Sequence, residues 1–221
     1  MTARKARPSG VHHGDLRNAL ERAALSIVGE EGAHGFTLAE VCRRAGVSVS
    51  APYKHFADRD ALLVSLALKG YDELRRRCHA AVAAQGAPTE QLAAFAGAYA
   101  RFAIDERALF AVAFLSGLDK VRHPELAAAG AALHDDLMPV TSRIAGDEEA
   151  GLDLLVQVAA AAHGLALFHL EQMLPGARNS MTWVEEQAGC AARALAARHD
   201  LTEEGEPACA PPGARSPKHL A

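Results

Sequence analysis

Catalytic signatures are absent from this chain of 221 residues. It contains no G-x-S-x-G elbow, no Walker loop and no H-E-x-x-H motif, and no two of its 11 histidines stand four residues apart. Neither an activated nucleophile, nor a phosphate loop, nor a helical His pair for a metal can be assembled from sequence neighbours. His134-Asp135-Asp136 comes nearest to a metal phosphohydrolase pair, but adjacent helical residues point about 100° apart, so the three cannot meet on one metal. No enzyme activity, metal or cofactor is expected. The four cysteines, Cys42, Cys78, Cys190 and Cys209, form no C-x-x-C pair, and no secretory leader precedes them. Reduced thiols in a cytoplasmic protein are therefore expected. No apolar run reaches the roughly 18 residues that a membrane span needs, so no membrane partner is expected. A surplus of positive charge is also missing. The net charge is −4, which argues against an architectural protein that coats nucleic acid.

Charge is nevertheless divided. Residues 1–60 hold nine Lys/Arg against seven Asp/Glu, and the remainder is acidic. Within the basic part, residues 37–56, TLAEVCRRAGVSVSAPYKHF, carry the clearest local signal. Thr37 and Glu40 have the Thr-x-x-Glu spacing of a capping box, which starts a helix. Leu38, Val41, Cys42 and Ala45 recur at helical spacing and leave Arg43 and Arg44 on the wet side. Gly46 ends that helix, because only glycine takes a left-handed position there without steric cost, and Val47 supplies the apolar contact that follows. A residue among Ser48, Val49 and Ser50 caps a second helix that tolerates Pro52 in its first turn and continues through Tyr53, Lys54, His55 and Phe56. Two helices joined by a short turn containing glycine form a helix-turn-helix, whose second helix enters the DNA major groove.

The segment resembles the DNA-binding half of a TetR/AcrR-type transcriptional regulator. Five motifs carry the resemblance in order: the helix over residues 15–32, Gly35-Phe36-Thr37, Ala45-Gly46-Val47-Ser48, Tyr53-Lys54-His55-Phe56 and Asp58-Arg59-Asp60-Ala61-Leu62-Leu63. Where Arg59 stands, the family usually carries Lys. The resemblance implies a double-stranded DNA operator as partner, with Thr37, Tyr53, Lys54, His55 and Arg59 as phosphate contacts. Val49, Ser50 and Ala51 fall where recognition helices meet base edges, and Arg43 and Ser48 complete the DNA-facing set. None of Val49, Ser50 and Ala51 can make a bidentate base contact, so direct readout is thin and DNA shape contributes. Phe56 reads as a core aromatic that closes the head.

The expected fold is all α with about nine helices, since no segment reads as a strand. Residues 1–12, with Arg4, Lys5 and Arg7, form a disordered basic arm that either lies on DNA or stays solvated. Residues 13–60 form the three-helix DNA-binding head. Residues 61–200 form a helical ligand-binding and dimerisation domain, and residues 201–221 a disordered tail. A helix from residue 58 to about 84 is the lever between the halves. Tyr99-Ala100-Arg101-Phe102-Ala103 and Ala162-His163-Gly164-Leu165-Ala166 resemble the C-terminal domain of a TetR subgroup named for a Trp-His-Gly pattern, with Ala159 in place of the Trp. The resemblance implies a homodimer through the last two long helices and a small-molecule effector. Gly164 sits mid-helix, which costs about 1 kcal/mol against Ala, so a partner helix or a ligand is expected against it. A small apolar or aromatic effector is expected among Phe95, Tyr99, Phe102, Phe110, Phe114, His134, Met138, His163 and Phe168. Repression is the family tendency. An activator, or an architectural protein without effector, is the alternative.

Overall fold

The computed structural model describes residues 13–200. The expectations for the basic arm, for the tail and for Cys209 lie outside that range. The described residues form eight α-helices and no strand: α1 (His13–Glu31), α2 (Leu38–Ala45), α3 (Arg59–Ala83), α4 (Pro88–Asp105), α5 (Arg107–Leu115), α6 (Pro124–Ala145), α7 (Glu148–Leu170) and α8 (Met181–Asp200). Local chemistry sets the boundaries. Thr37 has extended backbone, and its hydroxyl accepts the Glu40 N–H at 3.3 Å. The Glu40 carboxylate turns to Arg43 at 3.1 Å. At the other end of α2, Gly46 has φ +68°, its N–H donates to the Arg43 carbonyl at 3.3 Å, and the Val47 N–H donates to the Cys42 carbonyl at 3.0 Å. That pair of bonds is a Schellman stop.

The expected second helix of the helix-turn-helix is not α-helical, which is why the count is eight. Between Gly46 and Asp58 the chain makes a turn and a short 3-10 segment, Pro52–Lys54. Pro52 has no N–H to return to the Ser48 carbonyl, so that oxygen instead accepts from Ala51 at 2.9 Å. The His55 and Phe56 amides both close onto the Pro52 carbonyl at 2.8 Å. Two residues later Asp58 caps α3, its carboxylate accepting the Ala61 N–H at 2.8 Å. Too few residues remain for a regular α-helix.

Two apolar cores are stacked along α3. The first joins Leu20, Ile27 and Val28 of α1, Val41 and Cys42 of α2, Phe36 and Phe56, Leu62, Leu63, Leu66 and Tyr71 of α3, Val112 of α5 and Leu126 of α6. The head thus shares its packing with helices far along the chain, as its small size requires. The second core holds Leu74, Phe95, Phe102, Phe110, Leu154, Leu155, Val158, Val184 and Ala188, with α4 at its centre against α3, α6, α7 and α8. Phe114 packs against both cores.

Glycine marks two close helix crossings. A Cβ on Gly70 would lie 3.2 Å from the Leu109 carbonyl oxygen, where α3 meets α5. A Cβ on Gly151 would lie 2.8 Å from the Ser142 backbone nitrogen, where α7 meets α6. Gly151→Ala is therefore expected to destabilise the protein by about 1–3 kcal/mol through overpacking. Gly29→Ala on α1, where no described residue lies within 4 Å of the added Cβ, should instead stabilise it by roughly 0.5–1 kcal/mol. Thermal melts of the two variants against the parent check both signs.

α7 is long and apolar enough, by length and composition, to cross a membrane. It instead buries Leu154, Leu155, Val158, Ala162 and Ala166 in the second core. Only 33% of its most apolar window is buried within the subunit. Its outer face carries Leu152, Val156 and Phe168, exposed by 45%, 52% and 47%.

Candidate nucleic-acid interface and sensor core

The turn between α2 and α3 is held from beneath and presents its side chains outward. Pro52 and Phe56 are buried, and the Arg17 guanidinium of α1 lies 4.9 Å above the Phe56 ring. On the outer side Val49 and Tyr53 are 59% and 60% exposed, and Ser48, Ser50 and Lys54 are exposed as well. Ala51 and His55 are half-buried. The Ser48 and Ser50 hydroxyls are 3.2 Å apart. No described residue holds Tyr53 or Lys54 by a hydrogen bond or an ion pair, which leaves both donors for an external acceptor. Thr37 is exposed at the start of α2, where helix N–H groups favour an anion. Arg43 is exposed on the same helix, beside Glu40.

Arg59, for which the resemblance implies a phosphate contact, makes contacts within the head. Its Nη2 donates to the Ala33 carbonyl, its guanidinium lies 4.8 Å above the Phe36 ring, and its Nη1 is 3.4 Å from Asp60.

Glu21 is the polar residue that sequence reasoning missed. It is buried on α1 and accepts from Arg17 at 3.2 Å, from the Ser65 hydroxyl at 2.9 Å and from Lys69. Burial pushes its carboxyl up, but the bonds from Lys69 and Ser65 and the charges of Lys69 and Arg17 outweigh this and hold it below the usual range. The cluster ties α1 to α3. Its one trace in the sequence is an Arg17/Glu21 pair four residues apart, beside the apolar stripe of Leu20, Ala24 and Ile27.

In the second core α4, α5 and α7 bring Tyr99, Phe110, Phe114 and His163 together. Tyr99 Oη is 2.9 Å from His163 Nδ1. The rings of Phe110 and Phe114 lie 5.1 Å and 5.7 Å from the His163 ring. Phe95 sits edge-on to Tyr99 at 6.1 Å, and Phe114 reaches Tyr71 of α3 at 5.3 Å. Burial raises the Tyr99 hydroxyl and lowers the His163 imidazole from their ordinary values, so both are neutral at pH 7.

The other expected effector residues are not gathered there. Phe102 is fully buried beneath the Arg77 guanidinium, and Met138 is half-buried at the edge of the core. His134 and Phe168 face outward from α6 and α7. In the His134-Asp135-Asp136 run it is Asp136 that is engaged, accepting from Arg75 at 2.8 Å and lying 2.6 Å from His79 Nε2, which clamps α6 to α3. Among the described residues no three His, Cys, Asp or Glu side chains come together as metal ligands. A groove of about 930 Å³ between the C-terminal half of α3, α4 and α8, and a void of about 20 Å³ beside Cys78 and His79, are lined by none of the four clustered rings. Burial pushes the Cys78 thiol up to about 12, which makes it inert.

Residues 21–66 match the family of bacterial regulatory proteins described as the tetR family. Over 78 residues the chain is 33% identical to the HTH-type transcriptional regulator BetI of Rhizobium meliloti and to that of Agrobacterium fabrum. Each match takes in 35% of this chain and spans 38% of the relative's length. A Rhodococcus sp. RHA1 structure of a protein with unknown function is similar along its whole length. It has a TM-score of 0.69 at 32% identity, with 86% of this chain and 100% of that one covered. A Rhodococcus RHA1 regulatory protein of the tetR family gives a TM-score of 0.61 at 21% identity, covering 81% and 96% of the two chains. A TetR family transcription regulator from Marinobacter aquaeolei VT8 gives 0.64 at 16% identity, covering 81% and 94%. The chain belongs to the tetR family. Within this TetR-family chain the matched segment runs from Glu21 to Leu66. It therefore contains the outward-facing turn, both helix caps that flank it, and the Arg59 clamp. The aromatic cluster lies outside the matched residues.

Proposed function

We propose that the protein is a ligand-responsive transcriptional regulator that acts in the cytoplasm, binds a palindromic operator as a homodimer, represses, and is released by a small apolar or aromatic effector. The observation that carries the DNA reading is the exposed pair Tyr53 and Lys54. Both are presented by a turn whose underside is sealed by Phe56 and Arg17, in a chain whose family consists of regulatory proteins. A rigid turn with outward donors orients a protein on phosphates, while Val49, Ser50 and Ala51 offer only short contacts to base edges.

The exposed face of α7 supports the dimer. Leu152, Val156 and Phe168 are apolar side chains exposed on the outer half of α7, and among the described residues nothing lies within 4 Å of the missing Cβ of Gly164. A second copy packed there gives that glycine its close neighbour. Two heads related by a two-fold axis read half-sites separated by about 34–36 Å or a multiple of it. The aromatic cluster supports the effector reading, because an apolar wall with one neutral hydrogen-bonding pair suits an uncharged ligand. Its rings already pack on one another, so an effector enters by displacing one of them.

The test is the salt dependence of DNA binding. Lys54→Ala is expected to weaken binding to all sequences alike and to reduce the slope of log affinity against log salt by about one per half-site. Substitutions at Ser50 or Ala51 should change which sequence is preferred. An unchanged slope in Lys54→Ala, measured by fluorescence anisotropy, contradicts this docking.

A further inference from the structure

We infer that Arg59 is a positioning residue which fixes the start of α2 relative to the start of α3, and that it makes no phosphate contact. The inference rests on the DNA-binding reading above and adds to it how the binding surface keeps its shape.

The joint between α1 and α2 has little structure of its own. It contains Gly32 with φ +84° and then Gly35. Ala33, between them, is buried. A buried carbonyl without a partner costs free energy comparable to a lost hydrogen bond. Arg59 supplies that partner from α3 by donating to the Ala33 oxygen, and it lays the plane of its guanidinium over Phe36. Phe36 is itself buried, and Thr37, the cap of α2, is the next residue. Arg59 follows directly on Asp58, the cap of α3. One side chain thus ties together the two helix starts that flank the outward-facing turn.

Its geometry sets any reach toward DNA in competition with the tie. Nη2 is committed to Ala33, Nη1 leans toward Asp60, and Nε is sealed from solvent. A reach toward a phosphate would leave the Ala33 carbonyl unpaired and uncover Phe36. Lysine, a single compact ammonium on a flexible stem, has no planar guanidinium with which to bond the Ala33 carbonyl and cover the Phe36 ring at once.

The experiment is fluorescence anisotropy with a labelled mixed-sequence duplex over a series of salt concentrations, comparing the parent with Arg59→Lys, Arg59→Met and Lys54→Ala. Arg59→Lys keeps the charge, yet is expected to bind about tenfold more weakly at every salt concentration with the parent's slope. Lys54→Ala should lose about one unit of slope. Parent-like binding by Arg59→Lys, together with a slope lowered by about one in Arg59→Met, would make Arg59 a phosphate contact and overturn the inference. Hydrogen exchange without DNA provides the independent readout. Amides of residues 33–37 should exchange faster in Arg59→Lys, or in Arg59→Met where the lysine variant does not fold, and unchanged protection there also overturns it. If the parent shows no salt-dependent binding at all, the DNA reading fails, and the exchange experiment still decides whether Arg59 holds the joint.

Discussion

Val156→Glu is expected to turn the protein into a folded monomer and to abolish tight operator binding. Val156 lies on the outer face of α7 and is 52% exposed in the subunit, so a carboxylate there meets water in the monomer and costs little. In a two-fold dimer packed on this face of α7 the same substitution buries an unpaired charge on each subunit. A buried charge left unpaired in an interface costs about 2–5 kcal/mol, enough to separate subunits that associate at micromolar concentration. Operator binding falls further, because two heads on one palindrome bind far more tightly than one. Ala188→Glu provides the contrast. Ala188 is 1% exposed and packs inside the second core, so that substitution should unfold the subunit and not merely split a dimer. Sedimentation with circular dichroism separates the cases: a helical monomer for Val156→Glu, loss of helix for Ala188→Glu. A helical dimer from Val156→Glu would remove α7 from the interface.

The second large effect is expected at Phe114. Its ring touches Phe110, Tyr99 and His163 in the second core and Tyr71 on the side of the head. Phe114→Ala should cost roughly 3 kcal/mol of stability, the low end for a phenylalanine because the site is only half-buried. Its distinctive consequence is loss of coupling. An effector that lowers operator affinity tenfold in the parent carries about 1.4 kcal/mol of coupling and must itself bind the operator complex tenfold more weakly. In Phe114→Ala the effector should bind, because a cavity has been opened for it, and operator affinity should no longer respond. Thermal-shift screening of uncharged aromatic compounds, followed by titration of any hit against the operator complex of both proteins, gives the comparison. Equal coupling in the two proteins would place the transmission elsewhere, for example at the Gly70 crossing of α3 and α5.

Much of the head was legible in the sequence because short-range chemistry specifies it. Thr37, Gly46 and Asp58 each act through backbone groups within a few residues, and the structure shows the caps and the stop they imply. The segment after Gly46 was harder, since Ser48, Val49 and Ser50 are good helix starters and Pro52 suits a first turn. What the pattern concealed is that the Ser48 carbonyl loses its α-helical partner at Pro52, and that Asp58 restarts the chain too soon for a full helix.

Sites that depend on long-range packing were less legible. Periodicity finds an apolar face without saying what covers it. Ala188 and Val156 both lie on apolar helices, yet the first is packed inside the subunit and the second is not. The same limit applies to the residues expected around an effector. Tyr99, Phe110, Phe114 and His163 converge from three helices, whereas His134 and Phe168, equally plausible by composition, point away. Arg59 and Glu21 are matters of tertiary reach. Arg59 lies 26 residues from the carbonyl it holds and Glu21 lies 48 residues from Lys69, separations at which no helical spacing rule operates.

Sequencing the genomic DNA fragments retained by the purified protein, and footprinting the retained sites, tests the proposed operator binding most directly. A small number of sites is expected, each protected symmetrically about a two-fold centre, with half-sites about one helical turn or a multiple of it apart. Retention of fragments without a shared palindrome, or continuous coating of every fragment, would contradict it.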